Sequence, residues 1–325
     1  METKLKLTIV VPSYNEALNI KPLIERVNNS FKEYPDFEWK ILFIENGSND
    51  DSLEILKKIN LEDSRIKFIR LSRNFGYQGA ITAGLSKSDS DWVAIMDGDI
   101  QDPPELIPQM LQFAINGNFD VIYGVKKSRQ ESFIKKFLYK LFYFIYEFFS
   151  EIKIPRDSGE FSVFNKRVLR SLNTFQEKHR FTRGLRTWIG FKQAPFYYDR
   201  EARFSGKSHF TFSDMVKLAT DGILSFSITP LRISLIIGTI ILAISSLLIF
   251  LQALNKLFEF FNFHHQFLPT LPPGLTQLTV LMIFFFALIF SMLGIIGEYI
   301  GRIYYEVKNR PNFIIEIDSD AKLSD

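Results

Sequence analysis

A short apolar segment that ends in two aspartates constrains the fold of this chain more than any other feature. Residues Trp92 to Met96 are apolar, and Asp97, Gly98 and Asp99 follow them. Side chains two residues apart on a strand lie on one face, so both carboxylates should project from the same strand end. The Pro103-Pro104 pair then ends the strand and favours the start of a helix.

The same tract predicts a divalent metal site. The carboxylates of Asp97 and Asp99 and the carbonyl of Gln101 are hard oxygen donors, which suit Mg²⁺ or Mn²⁺ holding a diphosphate. Gly98 leaves room for a ligand beside the backbone. The alternative is an acidic turn without a ligand, because Asp-x-Asp alone is a common sequence. Its position between a strand and Gln-Asp-Pro-Pro-Glu favours the metal site.

Apolar segments alternate with helical stretches along the first 130 residues. Further strands are expected at Lys6 to Val11, Trp39 to Ile44, Ile66 to Leu71 and Val121 to Gly124. This alternation predicts an α/β fold with a mostly parallel sheet. Ligands bind such sheets at the carboxyl ends of the strands. Polar loops at residues 12–16, 45–51 and 97–101 fall there, which predicts that they form one site.

Two long uncharged segments predict a membrane protein. Ile233 to Leu251 has 19 residues without a charge, and Leu278 to Gly297 has 20. Each is long enough to cross a hydrocarbon core of about 30 Å as a helix. Basic residues flank the pair at Arg232 and after the second segment, so the positive-inside rule places both termini in the cytoplasm. The alternative is a pair of buried helices in a soluble fold.

Composition and two aromatic segments narrow the possible partners. A net charge of +3 is too small to indicate nucleic acid, and the absence of cysteine excludes disulfides, thiol catalysis and Cys-based zinc sites.

Ser132 to Phe149 combines aromatic residues with lysines at helical spacing, which predicts a helix at the membrane interface. A core helix is the alternative. Phe212 to Phe226 is a second amphipathic stretch.

Several ordered motifs resemble one family. They are Val10-Val-Pro-Ser-Tyr-Asn-Glu16, Asn46-Gly-Ser, Arg73-Asn-Phe-Gly76, Asp97 to Glu105, Arg183-Gly-Leu with Trp188 to Phe191, Arg203 to Ser208, and Phe226 to Arg232. Together they are similar to the polyprenyl-phosphate glycosyltransferases of glycosyltransferase family 2. That group includes dolichol-phosphate mannose synthases and bactoprenol glucosyltransferases. The resemblance implies a GT-A fold, an inverting mechanism and a lipid-phosphate acceptor.

The resemblance also implies roles for individual residues. Nucleotide-sugar contacts are expected from Pro12, Tyr14, Glu16, Ile44, Asn46, Asp97, Gly98, Asp99, Lys126, Arg203 and His209. Metal ligands are expected at Asp97, Asp99 and Gln101, and acceptor-phosphate contacts at Lys126, Arg183, Arg203 and Lys207. Asn46 stands where the family usually has Asp, but an amide oxygen can still accept a hydrogen bond from a base.

Asp99 and two further carboxylates are the catalytic candidates. Asp157 is expected to orient the acceptor or the sugar, and Glu160 is the second candidate for that role. For these two residues the alternative is a structural ion pair with Arg156 or Arg180. Arg183 and Arg186 are candidates for binding phosphate, and a helix face against acidic headgroups explains them as well.

The uncharged segments and the family resemblance together imply four parts and one main activity. The parts are a GT-A catalytic domain (1–130), an acceptor part with interfacial helices (131–228), two transmembrane helices (229–300) and a cytoplasmic tail (301–325). The expected activity is hexose transfer from a nucleotide sugar, UDP-glucose first and GDP-mannose second, to a polyprenyl phosphate at the cytoplasmic membrane face. The alternatives are a processive polysaccharide synthase, whose Gln-x-x-Arg-Trp motif is absent, and a silent scaffold that binds nucleotide sugars. A homo-oligomer is left open.

Overall fold

A computed structural model describes residues 4–127, 155, 158–178, 180–201 and 275–320, together with isolated residues between 229 and 257. The chain divides into two compact units. One comprises Met1–Ser225 and Asn309–Asp325, and the other comprises Phe226–Lys308. The predicted interfacial helices at Ser132 to Phe149 and Phe212 to Phe226 lie outside the described residues, and their assignment stays a prediction.

The first unit contains one sheet, whose described strands number eight. They are β1 (Leu5–Ser13), β2 (Phe37–Glu45), β3 (Ile66–Leu71), β4 (Trp92–Ile95), β5 (Val121–Lys126), β6 (Ser158–Asn165), β7 (Gln193–Tyr198) and β8 (Ile315–Asp318). The described helices are α1 (Ala17–Ser30), α2 (Ser52–Glu62), α3 (Gly76–Ser86), α4 (Leu106–Gly117), α5 (Lys166–Thr174), α6 (Thr182–Trp188) and α7 (Leu275–Val307).

The strand order is β7-β5-β6-β4-β1-β2-β3-β8. The four strands β3, β2, β1 and β4 are parallel, whereas β6 and β8 each pair antiparallel with their neighbours. The predicted α/β fold with a mostly parallel sheet is therefore confirmed. The order reverses between β1 and β4, and a reversal of this kind opens a ligand-binding crevice at the carboxyl ends of the strands.

The sheet is covered on both faces, which explains why its central strands are almost continuously apolar. Side chains alternate along β1. Leu7, Ile9 and Val11 pack in one core cluster with the buried residues of α1, α2 and α4. Val10 points to the other face, where α3 packs against β1 and β2. The parallel pairing of β3, β2, β1 and β4 places the carboxyl ends of these strands at one edge of the sheet.

Three strands of the sheet were not expected from the sequence. One of them, β7, lies at an edge of the sheet and pairs parallel with β5. β6 lies between β4 and β5 and pairs antiparallel with both. β8 comes from the segment expected to be a cytoplasmic tail, and it pairs antiparallel with β3. The predicted boundaries at residues 130, 228 and 300 stay predictions.

The two predicted transmembrane helices are not supported. Most of Ile233 to Leu251 lies outside the described residues, and Leu278 to Gly297 lies within the 33-residue helix α7. Across the residues that could be described, no helix meets the length and hydropathy required to cross a bilayer.

Gly84 provides a test of how closely α3 packs on the sheet. A Cβ at this position would lie 2.3 Å from Cγ1 of Val10 and 3.2 Å from Cγ1 of Ile44. Alanine favours a helix by about 1 kcal/mol over glycine, but overpacking a core costs about 1–3 kcal/mol. We therefore expect Gly84→Ala to lower the urea midpoint and the Tm. Ser86→Ala, on the exposed side of the same helix, should leave both nearly unchanged; equal stability of the two variants would contradict this packing.

Candidate functional site

Two polar loops at the carboxyl ends of β1 and β2 are hydrogen-bonded to each other. The backbone N–H of Asn15 donates to Oγ of Ser48 at 3.0 Å, and Oδ1 of Asn15 accepts from the N–H of Asn49 at 2.9 Å. Asp50 accepts from the N–H of Ala17, the first residue of α1, at 3.1 Å. Asn15 has a φ of 56°, a left-handed conformation that asparagine tolerates better than most residues. These contacts join the two loops, as the sequence predicted.

Asp97 and Asp99 follow β4 directly, next to the carboxyl end of β1. Asp99 is buried, and its Oδ1 accepts from the backbone N–H of Gln101 at 3.2 Å. Asp97 accepts a short hydrogen bond from the hydroxyl of Tyr77 on α3. The structure therefore brings the two predicted carboxylates together at the edge of the crevice.

A third carboxylate, Asp102, lies buried beside Asp97. Its Oδ1 accepts from the Tyr198 hydroxyl at 2.6 Å and lies 3.4 Å from Nε of Arg200, whose Nη2 is 3.8 Å from Asp97. Although 30% of the Asp97 side chain is exposed, burial and then the charge of Asp102 raise the pKa of Asp97 to about 7. A divalent cation beside Asp97 would offset both causes, because it favours the charged carboxylate.

The donors after β4 fit a metal that shares its coordination with a ligand. In the parts of the chain described, no group of three or more Asp, Glu, His or Cys side chains is arranged to hold a metal ion. Asp97, Asp99 and the oxygens of a diphosphate would form the oxygen set that Mg²⁺ and Mn²⁺ prefer. The carbonyl of Gln101 accepts from the N–H of Glu201 at 3.0 Å, so its backbone is fixed on both sides.

The turn between these donors is strained. Ile100 has a φ of 58°, which is unusual for a β-branched residue. Its side chain is buried in the core cluster. Packing of the Ile100 side chain therefore holds the backbone on which Asp99 and Gln101 lie.

Asn46, predicted to contact the base, is already committed to hydrogen bonds within the protein. Its buried Nδ2 donates to Oδ1 of Asn74 at 3.1 Å and to the carbonyl of Gly76 at 3.2 Å. Its Oδ1 accepts from the N–H of Phe75 at 3.0 Å. Both amide protons are therefore in use, and the side chain fixes the turn that precedes α3. Base recognition through Asn46 would be left with one lone pair of Oδ1.

The other predicted nucleoside contacts lie on adjacent backbone. Pro12 and Ile44 are partners in the register of β1 and β2, and both are buried. A Cβ at Gly98 would lie 3.1 Å from the carbonyl oxygen of Pro12, so glycine permits the close approach of the β1 and β4 ends. Tyr14 is exposed, whereas Glu16 accepts a short hydrogen bond from the Asn19 side chain at the start of α1.

Glu160 on β6 belongs to a network with α3 and α6. Its Oε1 accepts from Nε2 of Gln78 at 3.0 Å and from the N–H of Arg183 at 3.4 Å. Oε1 of Gln78 accepts from the N–H and the hydroxyl of Thr182, at 3.0 and 2.7 Å. Arg180 instead donates to backbone carbonyls at the end of α5, so it is not the partner of Glu160.

Three cations surround the first residues of β6. Arg186 is almost completely buried, which lowers its pKa to about 10, and it donates to the carbonyl of Gly159 at 3.4 Å. Arg183 donates to the neighbouring carbonyl of Ser158 at 3.2 Å. Lys126 lies next to Gly159, because its Nζ is 3.9 Å from the point where a Cβ on Gly159 would be. The structure thus brings together three residues predicted as candidates for binding phosphate, Lys126, Arg183 and Arg186.

The remaining predicted site residues are Asp157, Arg203, Lys207 and His209, and all four lie outside the described residues. Their predicted roles stay predictions.

Sequence reasoning missed side chains that organise the site from a distance. Arg26 on α1 contacts both carboxylate oxygens of Glu105 at 2.7 Å and those of Glu201 at 2.9 and 3.1 Å, which raises the pKa of Arg26. This cluster joins α1, the start of α4 and the segment after β7. Tyr198 likewise lies 96 residues from Asp102 in sequence. No local pattern signals pairs so distant, although Asp102 belongs to the Gln-Asp-Pro-Pro-Glu tract.

Comparison with known proteins gives consistent matches. Residues 8–172 match the family model described as Glycosyl transferase family 2. The chain is 36% identical over 317 residues to the uncharacterized glycosyltransferase YkcC of Bacillus subtilis (strain 168), which covers 97% of this chain and 95% of that protein. It is 31% identical over 313 residues to a bactoprenol glucosyl transferase of Shigella phage SfII, with 96% and 98% covered.

One match among solved structures is the mannosyltransferase PcManGT from Pyrobaculum calidifontis, in complex with GDP-Man and Mn²⁺. It covers 64% of this chain and 59% of its own, at 13% identity and a TM-score of 0.45. A mannosyl-3-phosphoglycerate synthase from Rubrobacter xylanophilus covers 82% and 79%, at 14% identity and a TM-score of 0.44.

Asn46→Asp tests whether this amide fixes the turn at residues 74–76. The variant replaces two buried N–H donors with an acceptor that faces Oδ1 of Asn74 and the carbonyl of Gly76. We expect a loss of about 1–3 kcal/mol in the free energy of unfolding, measured with urea. Asn49→Asp adds the same charge to an exposed position of the same loop and should cost much less. Equal losses would mean that loop charge, not the amide network, is responsible.

Proposed function

Because this chain belongs to glycosyltransferase family 2, we propose that it transfers a hexose from a nucleotide sugar to a polyprenyl phosphate. The observation that most supports a nucleotide-sugar site is the Asp97–Asp99 pair after β4, beside the reversal of strand order. Diphosphates bind at such edges through metals and backbone groups. Near full-length relatives named as bactoprenol glucosyl transferases support the lipid acceptor.

The acceptor lipid would place the reaction at a membrane. The uncharged segments Ile233 to Leu251 and Leu278 to Gly297 support this placement by their length alone. Basic residues at Arg232 and after the second segment favour a cytoplasmic catalytic unit and cytoplasmic termini. We therefore propose an integral membrane protein with two transmembrane helices that acts at the cytoplasmic face. Its oligomeric state is not part of the proposal.

The chemistry requires orientation and charge neutralisation more than proton transfer. A phosphate oxygen of the lipid attacks the anomeric carbon, and the bond to the nucleoside diphosphate breaks as the new bond forms, with inversion. The nucleophile is already anionic, so it needs little help from a general base. When bound by Asp97, Asp99 and Gln101, Mg²⁺ or Mn²⁺ would supply Lewis-acid stabilisation of the departing diphosphate.

The residues near the start of β6 are proposed to hold the acceptor. Lys126 and Arg183 lie around the same backbone, and cations in such an arrangement attract the lipid phosphate. Arg203 and Lys207 are proposed to join them, and His209 to contact the donor phosphates. Glu160 is held by Gln78 and by the Arg183 N–H, so its proposed role is to orient the acceptor side, with Asp157 as the other candidate.

Transfer of radiolabelled glucose from UDP-glucose to undecaprenyl phosphate in detergent tests the proposed activity. We expect organic-phase product that depends on Mg²⁺ or Mn²⁺. Asp99→Asn should reduce the product at least about a hundredfold, because it removes a charged ligand, and should weaken Mn²⁺ binding measured by electron paramagnetic resonance. Asp89→Asn, at an exposed surface pair with Lys166, should change neither. Full turnover in EDTA would exclude the metal role, and nucleotide binding without transfer would indicate a silent scaffold.

The donor is proposed to be UDP-glucose, with GDP-mannose as the second candidate. The near full-length glucosyl transferase relatives support this order. Isothermal titration of the Mn²⁺-loaded chain should give a lower Kd for UDP than for GDP. A tenfold difference in Kd corresponds to about 1.4 kcal/mol of binding free energy. Free UDP should also inhibit transfer more strongly than GDP. Tighter binding of GDP would reverse the assignment without affecting the proposed acceptor.

A further inference from the structure

The C-terminal segment Asn312 to Asp320 lies on the catalytic unit beside the loops of the proposed donor site. β8 pairs with β3, and the carbonyl of Ile314 accepts from the N–H of Ser72 at 3.0 Å, just beyond the end of β3. Ser72 leads directly into the turn at residues 74–76, which Asn46 fixes. The segment therefore extends the sheet as far as the turn at residues 74–76 and the 45–51 loop that contacts this turn. These two segments and the 12–16 loop are called the donor loops below, because they belong to the proposed nucleotide-sugar site.

Three ion pairs join this segment to the unit. Glu316 lies 2.9 Å from Arg70, Asp318 lies 2.8 Å from Lys87, and Asp320 lies 2.9 Å from Lys67. Two of these cations, Arg70 and Lys67, are on β3. Exposed pairs of this kind contribute little to stability individually, about 0–1 kcal/mol. The three pairs differ in how close they lie to the donor loops.

The pair at Arg70 continues into the protein, to a buried carboxylate. Nε of Arg70 lies 3.5 Å from Oε2 of Glu45, whose side chain has no exposed surface. The other oxygen of Glu45 accepts a short hydrogen bond from the N–H of Ser48. Ser48 in turn accepts from the N–H of Asn15, so Glu45 fixes the junction of the 12–16 and 45–51 loops.

A buried carboxylate is costly unless a positive charge compensates it. Oε2 of Glu45 and Nε of Arg70 have no hydrogen-bond partner among the described residues. Both contacts of Arg70 are therefore charge–charge contacts, which depend on where the guanidinium is held. Glu316 attracts Arg70 from the outer side and keeps the guanidinium between the two carboxylates.

We propose that Glu316 and Arg70 are positioning residues for the donor site, through which the C-terminal segment keeps the 45–51 loop in its nucleotide-binding geometry. This inference rests on the proposed function and on the expectation that the 45–51 loop forms part of the nucleotide-sugar site. Without Glu316, the Arg70 side chain is free to turn towards solvent. Glu45 then loses its compensating charge, and its hold on the Ser48 N–H weakens. The donor is bound less tightly, while the groups that act on the bound donor are unchanged.

Two matched variants of the full chain test this coupling. Glu316→Gln and Asp320→Asn each remove one charge from the same segment, at side chains 49% and 52% exposed. Their partners on β3, Arg70 and Lys67, are 28% and 23% exposed. Only the first pair continues to Glu45. We expect Glu316→Gln to raise the Kd for UDP and the KM for the donor about three- to fivefold with kcat unchanged. Asp320→Asn should change none of these values.

Arg70 variants supply the second measurement. Arg70→Met should raise the Kd for UDP more than Glu316→Gln does, because it leaves Glu45 buried without a nearby cation. Arg70→Lys retains the charge and should recover part of the affinity. Adding Glu316→Gln to Arg70→Met should have no further effect on Kd, since both changes act through the same side chain.

The outcomes separate this inference from the proposed function. If the wild-type chain binds neither UDP nor GDP in titration calorimetry, the nucleotide site itself is wrong, and this coupling with it. If the wild type binds nucleotide and both Glu316→Gln and Asp320→Asn leave Kd unchanged, the segment is only a structural edge strand. Equal increases in Kd for the two variants would also overturn the coupling, because they would reflect a general loosening of β8.

Discussion

Mutual repulsion among Asp97, Asp99 and Asp102 is the constraint on which the rest of the site depends. Six residues of backbone hold three carboxylates in a crevice where water is partly excluded, and the pKa of Asp97 rises as a result. Hydrogen bonds from the hydroxyls of Tyr77 and Tyr198 and the positive charge of the Arg200 guanidinium stabilise Asp97 and Asp102. These groups come from α3 and from the end of β7. The carboxylates therefore determine which distant elements must meet at this edge.

Much of the parallel part of the sheet could be predicted from the sequence. β1 to β4 are apolar runs that end in polar loops, and burial on both faces gives such runs their composition. The convergence of the loops followed from strand direction alone. β6 escaped prediction because its place between β4 and β5 depends on pairing across some 70 residues, as between Trp92 and Asn165. β8 has only four residues, two of them acidic, which resembles a solvated tail.

The position of the two strand-end carboxylates was predictable, whereas the hydrogen-bond partners of the other candidate residues were not. Asp97 and Asp99 lie where the strand pattern placed them, because i and i+2 positions at a strand end leave little freedom. Asn46 shows the limit of such reasoning. The family resemblance implied a contact with the base, but whether the Asn46 amide was available depended on a turn 28 residues later. The partners of Asp102 and Arg26 were unpredictable for the same reason, since only the folded chain brings them together.

The pairing of β8 with β3 has a consequence for how the protein is made. The N–H of Phe68 donates to Oγ of Ser319, 251 residues further along the chain. On the ribosome, β3 therefore remains an open sheet edge until residues 315–319 emerge, long after its parallel neighbours have been synthesised. Open edges recruit foreign strands, and closing so long a loop has an entropic cost that grows only slowly with length. A chain truncated shortly before residue 315 would thus leave β3 as an exposed edge that can pair with strands of other molecules.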